Sequence, residues 1–279
     1  RSGKGSRIIA QPARELKRFQ YWVMRNIFPV FPVHACATAY IKGKNILNNA
    51  EPHAANPYYL KLDVKDFFPS IKGQDFLHYS SSNNDLIYDE ADLERLEKIL
   101  FWDPKRTGDL QLSIGAPSSP HLSNAIMYFF DAELAGFCTQ HGTAYTRYAD
   151  DMTFSMQDKE LRQKVLTKVQ QTLTQLPFPR LRINDRKTVY GSKAHRRMVT
   201  GLILSNDGLV SLGREKKRRI RAKLHHFATG RLSAEEKQSL CGFLAYARSV
   251  EPDFVNRLAE HMKQKYKTDI IHRLTNGNC

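Results

Sequence analysis

The chain has 279 residues, 41% of them hydrophobic, enough to bury a substantial core in one large domain or a few subdomains. Its 43 Lys and Arg against 28 Asp and Glu give a formal charge of +15, so a polyanionic partner is expected, and nucleic acid fits that excess better than a membrane. No stretch approaches the roughly 20 consecutive apolar residues of a membrane span, and Arg1-Ser2-Gly3-Lys4-Gly5-Ser6 lacks a signal peptide's apolar core, so a cytoplasmic protein is expected. The first residue is not Met, and the numbering is expected to begin inside a longer chain. Cys36, Cys138, Cys241 and Cys279 form no Cys-x-x-Cys pair, which argues against a zinc knuckle and a disulfide framework; all four read as reduced, mostly structural thiols.

In chain order, residues 12–30 read as an amphipathic helix, with Leu16, Phe19, Trp22, Val23 and Ile27 at three- and four-residue steps and interruptions at Pro29 and Pro32. Lys42, Gly43 and Lys44, followed by Asn45, Asn48 and Asn49, read as a turn. Leu60-Lys61-Leu62-Asp63-Val64 alternates, predicting a strand whose Asp63 faces away from the core. Phe67-Phe68-Pro69-Ser70 leads into a helical region, residues 80–84 read as a loop, and helical spacing returns over 89–102 through Leu93, Leu96, Ile99 and Leu100. Gly115-Ala116-Pro117-Ser118-Ser119-Pro120 precedes a helix that runs to about Gln140 and stops at Gly142, with Leu122, Ile126, Phe129 or Phe130, and Phe137 on its apolar face.

Two β-prone runs, 144–148 and 151–155, flank a tight turn and predict a hairpin. Asp158 is the expected cap of a helix carrying Leu161, Val165, Val169 and Leu173. Two hairpin-like pieces follow, the second turning at Asn206-Asp207-Gly208. From Gly213 the pattern is helical: Gly230 is a stop, Ser233 with Glu236 a capping box, and Pro252 a start. A mixed α and β body to about residue 212 with a helical tail is expected.

The candidate chemistry lies in three carboxylates. Asp150-Asp151 alone would be an ordinary surface turn, but it is bracketed by Tyr145-Thr146-Arg147-Tyr148 and Met152-Thr153-Phe154. Asp63, in an apolar strand, costs several kcal/mol to bury unless a cation pairs with it, and a metal would pair with all three acids. Phosphoryl transfer to a growing strand needs two such divalent cations, and hard Mg²⁺ prefers carboxylate oxygen. Arg214, Lys216, Lys217, Arg218, Arg219, Arg221 and Lys223 form a dense basic run. Ile220, Leu224 and Phe227 give that helix a buried stripe, so the charges are expected to project outward toward phosphates.

Tyr148-Ala149-Asp150-Asp151 resembles the catalytic signature of reverse transcriptases, and Leu62-Asp63-Val64-Lys65-Asp66-Phe67-Phe68 resembles the strand that carries their third aspartate. Asn49-Ala50-Glu51-Pro52-His53 and Val199-Thr200-Gly201 narrow the resemblance to the retron reverse transcriptases of bacteria. The resemblance implies an α+β right-hand polymerase: fingers over 1–60 and 72–120, a palm of antiparallel sheet with packed helices over 61–71 and 121–212, and a helical thumb over 213–279. It implies RNA-directed DNA synthesis at two Mg²⁺ ions held by Asp63, Val64, Asp150 and Asp151, with Asp63, Asp150 and Asp151 catalytic.

Further roles follow from the same resemblance. Asp66 and Phe67 lie beside the nucleotide, although Phe67 also reads as core, and Phe68 would exclude a ribose 2′-hydroxyl, so that dNTPs are used. Ile114 and Gly115 would lie beneath the nascent base pair; many relatives carry Gln where Ile114 stands. Lys187 would protonate the leaving pyrophosphate, and Lys42 and Lys44 match the region that clasps the triphosphate, though they also read as plain turn residues. Asn49 and His53 would contact RNA, Val199, Thr200 and Gly201 would grip the primer end, and the basic run would hold the duplex. The implied partners are a cognate noncoding RNA, its branched DNA product begun on a guanosine 2′-hydroxyl and used in antiviral defence, and a possible effector protein. A reverse transcriptase of another bacterial lineage and a catalytically silent RNA-binding scaffold are the alternatives.

Overall fold

Alternation along the chain sets the central strand. In β1 (Tyr58–Asp63), Leu60 and Leu62 are fully buried in the apolar core, and Lys61 and Asp63 take the opposite face. The computed structural model describes residues 8–82 and 89–278; readings of residues 1–6, 83, 84 and 279 lie outside them. The chain divides into two compact units, Arg1–Ser192 and Lys193–Cys279.

The first unit begins with α1 (Arg14–Asn26), a single 3-10 turn at Phe28–Val30 and α2 (Ile46–Ala50), which Asn45 and Asn48 close with a capping box. Another 3-10 turn, Glu51–His53, precedes β1. Then come α3 (Phe67–Ser70), α4 (Gly73–Ser82), α5 (Glu90–Leu100), α6 (Ser119–Ile126) and α7 (Tyr128–Gln140). The unit closes with β2 (Ala144–Tyr148), β3 (Asp151–Met156), α8 (Leu161–Gln175), a 3-10 turn at Asp185–Lys187 and β4 (Val189–Ser192). The strands form one antiparallel sheet in the order β2-β3-β1-β4, with Asp63 opposite Asp151 and Tyr148 opposite Asp151. Leu60, Leu62, Met152 and Phe154 join Leu122, Ile126, Phe130, Val165 and Val169 in its core.

The second unit holds the antiparallel sheet β5 (Arg197–Val199), β6 (Leu202–Leu204) and β7 (Val210–Ser211). Four helices follow: α9 (Arg214–Ala228), α10 (Ala234–Val250), α11 (Pro252–Tyr266) and α12 (Ile270–Asn278). Leu240, Leu244, Phe254, Leu258 and Leu274 are buried among these helices, and Ser233 with Glu236 closes the expected capping box. Among the described residues no helix is long and apolar enough to cross a membrane.

The α+β class with antiparallel sheets is as read, and six readings are corrected. On α1 the inward face carries Gln20 and Val23, while Phe19 is 60% and Trp22 57% exposed. Gln20 Nε2 donates to the carbonyl of Ile99 at the end of α5, so a buried polar group takes its place on the inward face. Residues 80–82 continue α4. The helix expected up to Gln140 breaks at Met127 into α6 and α7, and Asp158 lies ahead of α8, its carboxylate accepting from the Glu160 backbone instead of capping the helix. The first hairpin-like piece is split, because β4 pairs with β1 while β5 pairs with β6. Cys36 and Cys138 are free, buried thiols, but Cys241 is in a disulfide, which spacing alone could not reveal.

Candidate active site

The three acids meet because two strand ends meet. Asp63 ends β1 and Asp151 begins β3, and antiparallel pairing puts them face to face. Between β2 and β3 the turn needs a left-handed residue, supplied by Ala149 at φ 58°, and the Val64 amide donates to the Asp150 carbonyl at 3.0 Å, locking the turn against β1. Asp63 is 6% exposed. Its Oδ2 accepts from Lys187 Nζ at 2.8 Å, and its Oδ1 from Asn184 Nδ2 at 3.2 Å. A cation within the chain thus pairs with the buried carboxylate.

Asp150 and Asp151 are half-buried, and both are held above the usual carboxylate range. For each, burial is the largest cause; Asp63 raises both and Asp151 raises Asp150, while Lys187 pulls the other way. Among the described residues no three His, Cys, Asp or Glu side chains are gathered tightly enough to enclose a metal as they stand, because the Asp63 oxygens are turned to Lys187 and Asn184. The backbone nevertheless brings three hard oxygen donors to one sheet edge with a shortage of positive charge, and that donor set fits a divalent cation. The Val64 side chain is buried in the core, so its carbonyl is the atom it could offer.

Around the acids, Phe67 is buried in the core, as read, while Phe68 is half-buried with its ring 5.4 Å from Phe67 and 6.4 Å from Tyr40. Asp66 is exposed with φ 48° and its carbonyl accepts from Ser70, starting α3. Tyr40, which sequence reading missed, has φ 62°, and its hydroxyl is pushed up by burial, Asp150 and Tyr148. Nothing in the local sequence marks it.

A second missed group is Arg147, fully buried under the hairpin. Its guanidinium makes a bidentate pair with the equally buried Asp131 of α7, and its Nη1 donates to Asn124 Oδ1 at 3.0 Å and to the Ala149 carbonyl at 3.1 Å. Tyr145 adds a hydroxyl bond to Asp131 and stacks on Phe154 across the hairpin. The one signal available was an arginine inside a strand of otherwise uncharged residues.

Other expected site residues lie elsewhere or are turned inward. Asn49 and His53 are buried and have no surface to offer RNA. Asn49 Oδ1 accepts from Thr38, and His53 bridges Ser155 and Thr146 at 2.8 Å each, tying β3 to β2; burial lowers its pKa to about 3. Lys44 Nζ donates to the carbonyls of Ala35 and Ala37, stapling its own loop, while Lys42 is exposed. The Ile114 carbonyl accepts from Ala10, and the segment around Ile9 packs on Gly115, which has φ +114°.

In the second unit Val199 is buried, and Thr200 and Gly201 form the β5–β6 turn with positive φ. On α9 the basic run divides. Arg214, Arg218, Arg219 and Arg221 are exposed, Lys223 is half-buried, and Lys216 and Lys217 are also half-buried and engaged within the unit, contrary to the outward projection expected of the whole run. Lys216 bonds the Gly201 carbonyl and Lys217 pairs with Glu251, because each lies beside α9's buried stripe.

One strand-end carboxylate, Asp63, lies opposite a two-acid hairpin turn, and residues 2–204 match the reverse transcriptase (RNA-dependent DNA polymerase) family. The chain belongs to that family: it is an α+β right-hand polymerase that copies RNA into DNA, and its partners are nucleic acids. Retron Ec83 reverse transcriptase of Escherichia coli is 40% identical over 256 residues, 91% of this chain and 82% of that protein. Retron Ec73 reverse transcriptase of Escherichia coli is 34% identical over 274 residues, 94% of this chain and 85% of that protein. A solved telomerase from Candida albicans is similar at 10% identity and a TM-score of 0.49, over 95% of this chain and 58% of that one. Within the family, then, the chain is a bacterial retron reverse transcriptase. Reverse transcriptases as a family use divalent metal ions.

Proposed function

We propose that this enzyme extends a primer hydroxyl on its cognate noncoding RNA, using dNTPs and two Mg²⁺ ions held by Asp63, Asp150, Asp151 and the Val64 carbonyl. When bound, the ions would stabilise negative charge on the attacking and leaving oxygens. The primer oxygen forms a bond to the α-phosphorus, the bond from that phosphorus to the pyrophosphate oxygen breaks, and the hydroxyl proton passes to solvent water. Lys187, already at the acid edge, donates a proton to the departing pyrophosphate. Phe68 closes the space a 2′-hydroxyl would need, and the exposed arginines of α9 hold phosphates of the template–primer.

The product on this reading is a branched RNA–DNA molecule begun on a guanosine 2′-hydroxyl, made in the cytoplasm for antiviral defence, with an effector protein as a further partner. Fingers (1–60, 72–120), palm (61–71, 121–212) and thumb (213–279) divide these tasks. One observation carries the catalytic part: Asp63 stands opposite Asp151 at the edge closed by the Asp150 turn, with Lys187 on Asp63. The test is to copurify the chain with its RNA, add dNTPs and Mg²⁺, and compare the parent with Asp150→Asn/Asp151→Asn. DNA synthesis by the parent and none by the variant is expected; equal synthesis by both would defeat the reading.

A further inference from the structure

The outward face of α1 is unexplained by the catalytic site. Projected down an axis of about 3.6 residues per turn, Arg14, Arg18 and Arg25 form one row over about 16 Å, with Tyr21 on one side and Trp22, then Phe19, on the other. All six side chains are exposed, and among the described residues none of these arginines takes part in an ion pair. The helix is fixed in this orientation by its other side, where Val23 is buried and Gln20 bonds the end of α5. Exposing Phe19 and Trp22 while burying a glutamine is the reverse of what solubility favours, so the exposed face calls for a partner.

We infer that α1 is a docking face for unpaired RNA, with bases stacking on Trp22, Phe19 and Tyr21 and phosphates meeting the arginine row. Two features select this occupant. The apolar members of the face are all aromatic, the aliphatic Leu16, Val23 and Met24 being buried or half-buried, and flat π-faces suit bases of any sequence. The charge is one-sided, with four basic groups on α1 against the single acid Glu15, which complements a phosphate chain. A protein interface would draw on the same aromatics and arginines, so it is the one-sided charge that favours a phosphate chain.

The chain has two tryptophans, and Trp102 is half-buried, so Trp102→Phe leaves Trp22 as the sole reporter. Titration with an unstructured uridine RNA of about 12 nucleotides at roughly 50 and 200 mM salt should quench Trp22 emission. Phe19→Ala/Trp22→Ala, followed by RNA anisotropy, should weaken binding roughly tenfold or more. Arg14→Gln/Arg18→Gln/Arg25→Gln should make the salt dependence shallower by about two, since each single-strand phosphate contact contributes about 0.7.

These positions are exposed, and each variant should melt with the parent; if one does not, the emission of Trp22 decides alone. Saturating RNA that leaves Trp22 emission unchanged, or an unaltered salt slope in the triple variant, would overturn the proposal. Emission that ignores RNA but shifts to the blue as the chain is concentrated would mark a protein interface, and tighter binding of oligo-dT would assign the face to DNA; either overturns it too. The assay contains neither dNTPs nor a divalent cation, so its outcome is independent of the polymerase test.

Discussion

Arg147 holds the carbonyl of Ala149 from beneath, and Ala149 is the left-handed residue from which Asp150 and Asp151 are launched. Since Arg147 is anchored in turn by Asp131, the turn that carries Asp150 and Asp151 rests on an ion pair in the core. Arg147→Met should lower stability by about 3–5 kcal/mol by leaving Asp131 buried and unpaired. Arg147→Met/Asp131→Leu should recover most of that in thermal melts while single-turnover primer extension stays slow, because the Ala149 carbonyl has lost its donor. Parental extension by the double variant would show that the pair merely supports the fold.

Asp150 and Asp151 are both held above their ordinary range, chiefly by burial. A carboxylate whose folded pKa is raised binds more protons folded than unfolded, so its contribution to stability is present below the unfolded value near 4 and is lost as pH rises through the folded value. Without divalent cations the chain should therefore lose melting temperature across that window. Asp150→Asn/Asp151→Asn should melt higher than the parent near neutral pH and show less gain on adding Mg²⁺. An identical pH profile and Mg²⁺ response for both proteins would contradict this.

Phe68→Ala opens the wall beside Tyr40. Discrimination between dNTP and NTP in primer extension should fall by roughly tenfold or more, with dNTP incorporation retained. Unchanged discrimination would remove Phe68 from the sugar pocket.

His53 bridges Ser155 and Thr146, and burial holds its pKa near 3. A lowered base contributes stability that is present above about 6.5 and is lost as pH falls toward the folded value. His53→Ala should cost about 2–4 kcal/mol through its cavity and one lost hydrogen bond at each of Ser155 and Thr146, which keep Asn56 and the Asn49 carbonyl as partners, and should flatten that part of the pH profile. RNA affinity per folded molecule, measured by anisotropy, should not change; a selective loss would restore His53 as an RNA contact.

What was legible in the sequence was local. The alternation around Asp63, the two runs flanking Asp150-Asp151 and the capping box at Ser233 are each written within a few residues. What was not legible depends on partners far along the chain. Arg147 finds Asp131 on α7, His53 finds Ser155, and Lys44 turns to carbonyls of its own loop. On α1 the spacing of Phe19 and Trp22 fits an inward stripe as well as an outward one, and the burial of Val23 together with the bond from Gln20 to the Ile99 carbonyl fixes which face turns inward. Asn49 and His53 carried part of the family resemblance, which could not distinguish a residue that props up the sheet from one that touches RNA.

The Lys187 ammonium on Asp63 also bears on how the enzyme is made. A sheet edge of three acids would resist closing during synthesis if it had to wait for a metal from solution. Here the counterion arrives covalently attached, later in the same chain, so β1 and β3 can zip together in a metal-poor environment. On the proposed reading, ions held by the three acids would take over a charge that Lys187 already balances, and the sheet would not need to open.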